Sequence, residues 1–174
     1  MNSLTKPDSI QGFKNVTIRE PTDEEFEFFR SLVLTELGLN WAGDKKYLLY
    51  ARLQRRLQSL KLTTFKEYHE YLKKQNNAIE LQHLFNAVTT TKTGFYREKQ
   101  HFEFLREKIF PEMKELMVRK RKNLRFWSAG CSCGEEPFNL AIEAHDYFGP
   151  KLTSGGGLRI LASDVNTAVL EFAE

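Results

Sequence analysis

Two adjacent carboxylates, Glu135 and Glu136, stand directly after a small-residue loop that runs from Gly130 through Cys131, Ser132 and Cys133 to Gly134. A third carboxylate, Asp164, follows a later apolar run. A loop that cradles phosphate needs positive potential where its backbone N–H groups converge on a helix N-terminus. Two carboxylates at that mouth oppose it, and the loop also departs from the G-x-G-x-x-G pattern of dinucleotide sites. A nicotinamide or flavin dinucleotide is therefore disfavoured, and a ligand carrying a cationic group is favoured. Each acid also has a plainer explanation. Carboxylates stabilise a helix N-terminus by themselves, which accounts for Glu135 more readily than for Glu136. Asp164 could cap the helix that follows it.

The elements that must hold these groups are legible from Leu124 onward. "LRFWSA" reads as a strand, the glycine loop follows, and "EPFNLAIEAHDYFG" reads as a helix with Pro137 in its first turn. "LRILASDV" reads as a second strand ending at Asp164, and Asn166 or Thr167 caps another helix. This β-α-β-α order is the opening of a doubly wound sheet, whose ligand lies over the carboxyl ends of the strands. Gly130 and Asp164 both fall at such ends. An acid after the second strand is placed to accept hydrogen bonds from ribose hydroxyls. Adenosine with an ammonium and a sulfonium, the make-up of S-adenosylmethionine, fits these demands together.

The rest of the chain reads differently. Residues 1–20 are polar, carry Pro7 and show no sustained period, so they read as a mobile arm. Helical spacing then recurs over 21–90. In the first helix Thr22 caps, Glu25 completes a capping box, Gly38 terminates, and Phe26, Phe29, Val33 and Leu37 form the apolar stripe. In the second, Asp44 is the expected N-cap and Leu48, Leu49, Leu53, Leu57 and Leu60 form the stripe. Its other side carries Lys45, Lys46, Arg52, Arg55, Arg56 and Lys61, either a solvated face or a docking face for an acidic partner. Two shorter helices follow, with Phe65, Tyr68, Leu72, Ile79, Leu81, Leu84, Phe85 and Val88 facing inward. Thr89 to Gly94 interrupts the helices, and 91–122 reads as a linker loop and helix, bent or restarted at Pro111.

Composition bounds the rest. The formal net charge of +3 is too mild to argue for nucleic acid. No apolar run approaches the ~20 residues of a membrane-spanning helix, and the N-terminus lacks the apolar core of a secretory signal, so a cytoplasmic protein is expected. Cys131 and Cys133 are the only cysteines, too close in sequence for a good mutual disulfide and too few for a zinc site. They read as small turn-lining residues. His69, His83, His101 and His145 lack metal-ligand spacing and read as structural or surface residues.

"TTTKTGFYRE", "FWSAGCSCGEEPFNLAI" and "ILASDVNTAVLEFA" together resemble the chemotaxis receptor glutamate O-methyltransferases, the CheR-type family. That family's pattern runs T-T-N-x-T-x-F-F-R-E, then W-S-A-[AG]-x-S-x-G-E-E-P-Y-S, then A-S-D-I-[DN]. The resemblance covers about residues 22 to 174. It implies an N-terminal helical bundle followed by the first β-α-β-α of a Rossmann-like methyltransferase sheet, the sheet beginning at 123. It implies S-adenosylmethionine as cofactor, S-adenosylhomocysteine as product, and glutamate side chains on chemoreceptors as substrate. The family's cofactor contacts fall on Thr91, Thr93, Arg97, Gly130, Glu136 and Asp164. Within these, Arg97 pairs with the methionyl carboxylate, Glu136 meets the amino-acid end, and Asp164 holds the ribose. Thr91 stands where the pattern has asparagine, Phe138 where it has tyrosine, and Asn139 where it has serine. The resemblance also implies that Lys45, Lys46, Arg52, Arg55 and Arg56 dock on the acidic helical region of a receptor.

Such a sheet needs further strands, so the sequence is expected to be the amino-terminal portion of a longer enzyme, inactive alone and prone to self-association. No nucleic-acid partner, membrane insertion or metal is expected. A non-catalytic sensing or docking module, and a methyltransferase acting on another substrate, remain the alternatives.

Overall fold

The computed structural model describes residues 17–41, 45–74, 78–120, 123–150 and 157–173. The chain divides into two compact units, Met1–Leu81 and Gln82–Glu174. The expected arm over 1–20 lies mostly outside the described residues. Its last residues do not stand apart from the bundle: Ile18 is buried, and the Arg19 N–H donates to the Thr63 carbonyl at 2.9 Å.

The first unit is helical. Helix α1 (Asp23–Leu37) starts at the expected capping box. The Glu25 N–H donates to Thr22 Oγ1 at 3.2 Å, and the Thr22 N–H donates to Glu25 Oε2 at 2.7 Å. It ends at Gly38, whose φ of 67° only glycine adopts without strain. Helix α2 (Lys46–Ser59) is preceded by Lys45, which makes no side-chain cap; the expected cap, Asp44, lies outside the described residues. Helix α3 (Phe65–Lys73) carries a second capping box, Thr64 with Glu67, that the sequence reading did not single out. Phe29, Val33, Leu49, Leu53, Leu57, Phe65 and Tyr68 are fully buried and form this unit's core. The Phe29 ring meets Phe65 edge-on at 6.0 Å and stacks on Tyr68 at 5.8 Å, geometries that aromatic quadrupoles favour.

Helix α4 (Ala78–Val88) contributes its start to this unit and its remainder to the second. The division between the two compact units therefore falls inside α4. One inward assignment on α4 is wrong. Ile79 is 75% exposed and Glu80 is 3% exposed. Helical spacing cannot place a carboxylate inside, because an unpaired charge there is prohibitive. Here it is paired: Arg56 donates from Nε to Glu80 Oε1 at 2.9 Å and from Nη2 to Oε2, and Tyr68 Oη donates to Oε1 at 2.7 Å. These bonds hold the Arg56 guanidinium above its ordinary pKa. Burial first, and then the bond to Glu80, raises that of Tyr68.

The second unit continues with α5 (Lys99–Phe104), a π-helical stretch (Leu105–Ile109) and α6 (Phe110–Lys120). The π register sits immediately before Pro111. A proline has no N–H to give and crowds the carbonyl four residues back, which accounts for the widened turn beside it. Strands β1 (Leu124–Ala129) and β2 (Leu158–Ser163) pair in parallel, Leu124 opposite Leu158 through Ala129 opposite Ser163. Helix α7 (Glu135–Phe148) connects them, and α8 (Thr167–Leu170) follows, capped by Asn166. Phe110 is the hub of this unit: its ring lies 6.0 Å from Phe126, 5.2 Å from Tyr147 and 5.1 Å from Phe148. Trp127 and Leu161, register partners on the other sheet face, are 68% and 62% exposed. No described helix is long and apolar enough to cross a membrane.

Candidate cofactor site

The carboxyl ends of β1 and β2 open into a polar cleft of roughly 290 Å³ within the second unit, near the lower end of small-ligand sites. Three stretches build it: the Thr90–Glu98 loop, the glycine loop, and the start of α7 with the turn after β2.

The glycine loop is held by β2. The Gly130 and Cys131 N–H groups both donate to the Ser163 carbonyl, at 2.7 and 2.9 Å. The chain then reverses through Gly130 (φ 87°), Ser132 (φ 50°) and Gly134 (φ 100°). Ser132 sits in the left-handed region without being glycine, a conformation that persists only where surroundings enforce it. They do so from both sides. Its N–H donates to Asp164 Oδ2 at 2.8 Å, and its hydroxyl donates to the Thr91 carbonyl at 2.9 Å. Asp164 Oδ1 accepts the Asn166 N–H at 2.8 Å. Asp164 thus is not the helix cap, a place Asn166 takes. Its carboxylate ties the glycine loop to the turn after β2, and each oxygen retains a further lone pair.

Glu136 accepts the Ser128 hydroxyl at 2.6 Å, so β1 orients the acid at the head of α7. Glu135 has one buried oxygen without a partner among the described residues. Asn139, one turn beyond Glu136 on α7, lines the cleft, is 1% exposed, and leaves both its amide oxygen and its amide nitrogen unpartnered among the described residues. Burial, and after it the Asp164 charge, pushes the Cys131 thiol up. Cys131 and Cys133 are free thiols. No group of three or more potential metal ligands occurs among the described residues.

The opposing loop carries Thr93 and Arg97 into the lining. It is also strained: Tyr96 (φ 52°) and Glu98 (φ 55°) flank Arg97 in the left-handed region. Tyr96 anchors it, its hydroxyl donating to Glu143 Oε1 of α7 at 3.0 Å. Arg106 donates to Glu143 Oε2 at 2.9 Å and also to Asp146. The bond to Glu143 raises the Tyr96 hydroxyl's pKa. Of the sequence-predicted contacts, Thr93, Arg97, Gly130, Glu136 and Asp164 line one cleft. Thr91 is not in its lining; it contributes the carbonyl that fixes Ser132. The sequence reading missed Ser132, Asn139 and the Tyr96–Glu143 anchor as parts of the site. At two of these the chain departs from the family pattern, with Asn139 for serine and Tyr96 for phenylalanine, and that departure was the available signal.

On the helical unit, the five basic residues expected to dock a receptor have unequal settings. Lys46 pairs with Asp23 and Arg56 with Glu80, whereas Arg55 is exposed and Lys45 and Arg52 are half-buried.

Two family models match this chain: the CheR methyltransferase all-alpha domain over residues 24–89, and the CheR methyltransferase SAM binding domain over 91–174. The chain belongs to the CheR methyltransferase family. Among its relatives, a chemotaxis protein methyltransferase of Borreliella burgdorferi is 34% identical over 87% of this chain and 54% of that protein. Chemotaxis protein methyltransferase 2 of Pseudomonas aeruginosa is 37% identical, over 87% and 51%. A chemotaxis protein methyltransferase of Escherichia coli is 36% identical, over 87% and 49%. The chain spans about half the length of these curated relatives.

The donor set fits the cofactor that the second domain's description names. An arginine suits a carboxylate, the acids suit an ammonium and ribose hydroxyls, and an unpartnered buried amide can serve either end of an amino acid.

Proposed function

We propose that this chain carries the cofactor cleft and the docking helix of a cytoplasmic protein-glutamate O-methyltransferase acting on chemoreceptors. One observation carries the reading: Arg97, Glu136 and Asp164, distant in sequence, line a single cleft at the carboxyl ends of two parallel strands. In it Arg97 pairs with the methionyl carboxylate, Glu136 takes the ammonium, and Asp164 accepts from the ribose while its other bonds keep the glycine loop in place. Thr93 contributes to the same wall. When bound, S-adenosylmethionine supplies a methyl group on a sulfonium sulfur, open to direct displacement by a carboxylate. An ionised glutamate is already a nucleophile at neutral pH, so the chain need not provide a general base. Its contribution is alignment and exclusion of water from the attacking carboxylate. Arg55 and Arg52 of α2 meet the acidic helical region of the receptor. Taken alone, the 174 residues are expected to bind the cofactor weakly and to self-associate through the face bearing Trp127 and Leu161, which sedimentation would reveal.

Calorimetry on the natural full-length protein with S-adenosylhomocysteine and with NAD tests the cofactor. Transfer of labelled methyl groups to receptor fragments tests the reaction. Binding of NAD with no response to S-adenosylhomocysteine would overturn the reading.

A further inference from the structure

Asn139 is a buried polar side chain of the cleft that has no protein partner among the described residues. Its amide is buried, lines the cleft, and has neither oxygen nor nitrogen paired among the described residues. Buried polar groups are paired in the great majority of cases, and an unpaired one costs stability that an apolar residue would not. Nothing in the packing of α7 asks for an amide there. Leu140 and Ala144 supply the helix's buried apolar contacts, and Pro137 and Gly134 set its start. The demand for a donor and an acceptor side by side therefore comes from what enters the cleft.

The position on the helix says which part of the ligand Asn139 reads. Residues three apart on a helix share a face, so Asn139 lies one turn behind Glu136, in the lining of the cleft that Arg97 also lines. Asp164 belongs to the turn after β2, toward the ribose in the proposed binding mode. Resting on that mode, we propose that Asn139 is a specificity-determining residue for the amino-acid end of the cofactor, its amide N–H donating to the carboxylate and its carbonyl accepting from the ammonium. Both amide atoms are already shielded from water, so their desolvation cost is met in the fold and not at binding. A ligand group must part the side chains above the amide to reach it. The result is a site that discriminates: a nucleoside without the amino-acid end leaves the amide as it was, whereas a zwitterion satisfies it.

The test compares two probes on the full-length protein by calorimetry: S-adenosylhomocysteine, which has the amino-acid end, and 5′-methylthioadenosine, which lacks it. Asn139→Ala is expected to weaken S-adenosylhomocysteine about tenfold or more, the size of a lost bond to a charged group, while 5′-methylthioadenosine changes less than about twofold. Asn139→Asp keeps the shape and places a negative charge beside the ligand carboxylate, so it should weaken S-adenosylhomocysteine further and again spare 5′-methylthioadenosine. The melting temperature of Asn139→Ala without ligand should not fall, because no protein bond is lost. Equal weakening of both probes, or a lower melting temperature with unchanged probe affinities, would show a structural role and overturn the proposal. Failure of the wild type to bind either probe would instead overturn the cofactor reading on which it rests.

Discussion

Glu80 and Asn139 are both buried polar side chains on helices, and they are opposites. Glu80 is saturated: one arginine fork and one phenol meet its two oxygens. Asn139 is bare on both atoms among the described residues. The first arrangement is what a fold needs when it hides a charge, since a buried carboxylate survives only with its partners in place. The second is intolerable as packing and sensible as a binding surface. Burial of a polar group therefore does not by itself mark function; the number of its lone pairs and protons left over does. The same contrast divides the arginines. Arg56 was expected to face a receptor, but its guanidinium is bound to Glu80, whereas Arg55 on the same helix is exposed.

The most damaging way to probe this contrast is to remove Glu80. Glu80→Leu strips both Arg56 and Tyr68 of their acceptor and should destabilise the helical unit by on the order of 3 kcal/mol, read from urea unfolding followed by far-UV circular dichroism. Adding Arg56→Leu should restore most of the loss, because an apolar pair can replace a buried ion pair at little cost. If Glu80→Leu alone shifts stability by less than about 1 kcal/mol, the cluster is not the keystone that its bonding suggests.

Asp164 is next in size. Asp164→Asn keeps the shape but replaces a carboxylate that receives the Ser132 and Asn166 N–H groups. Affinity for S-adenosylhomocysteine should fall roughly 10- to 100-fold, in line with charged hydrogen bonds. Because the loss is at the ribose side, 5′-methylthioadenosine should weaken with it. Asn139→Ala, in contrast, is expected to spare 5′-methylthioadenosine, and calorimetry on the two variants side by side separates the two ends of the cleft. A smaller effect is expected from Arg52→Glu with Arg55→Glu, leaving Arg56 intact. Binding to an acidic receptor helix should weaken several-fold at low salt, and the difference should shrink near 0.1 M salt, where charges are screened within ~10 Å. Cofactor affinity should not change. Equal receptor binding by both proteins at low salt would remove the docking role.

Much of this was legible in the sequence, for reasons that differ by element. Helix α1 was readable to both ends because Thr22, Glu25 and Gly38 are local signals whose bonds close within a few residues. The strands, the glycine loop and Asp164 were readable because their order and spacing are nearly sufficient to define a doubly wound opening. The misreadings share one cause. Ile79 was assigned inward and the buried Glu80 was not singled out, because helical periodicity counts apolar residues and cannot see a partner 24 positions away at Arg56. Likewise, no local signal announces the Thr91 carbonyl's bond to Ser132, 41 positions away. The left-handed backbone at Tyr96, Glu98 and Ser132 has no composition signature, since none of the three is glycine.

His69 gives the comparison its hardest case. Its Nε2 is buried and, among the described residues, unpartnered, like the amide of Asn139, yet it belongs to the helical unit and its ring stacks on Phe28 with centroids 3.5 Å apart. If every orphaned polar atom awaited a ligand, His69 would too; the alternative is that a neutral imidazole is tolerated as a flat packing surface. Its titration distinguishes the two. Desolvation, and then the positive charge of Lys73, lowers the His69 pKa, against a smaller raising effect from Glu70. A base with a lower pKa in the folded chain than in the unfolded chain binds fewer protons when folded. Stability then rises with pH across the interval between the two values and is flat above the unfolded one, near 6.5. Acidification through that interval should therefore destabilise the helical unit before its carboxylates are protonated. His69→Phe keeps a ring against Phe28 and removes the titration, so its stability should match the wild type above pH 7 and lose the slope just below 6.5. Urea unfolding of both proteins between pH 5 and 8 is the measurement, with the difference between them isolating His69 from other groups. An identical pH slope in the two proteins would show that His69 does not penalise its charged form, and the packing explanation for its orphaned nitrogen would fail.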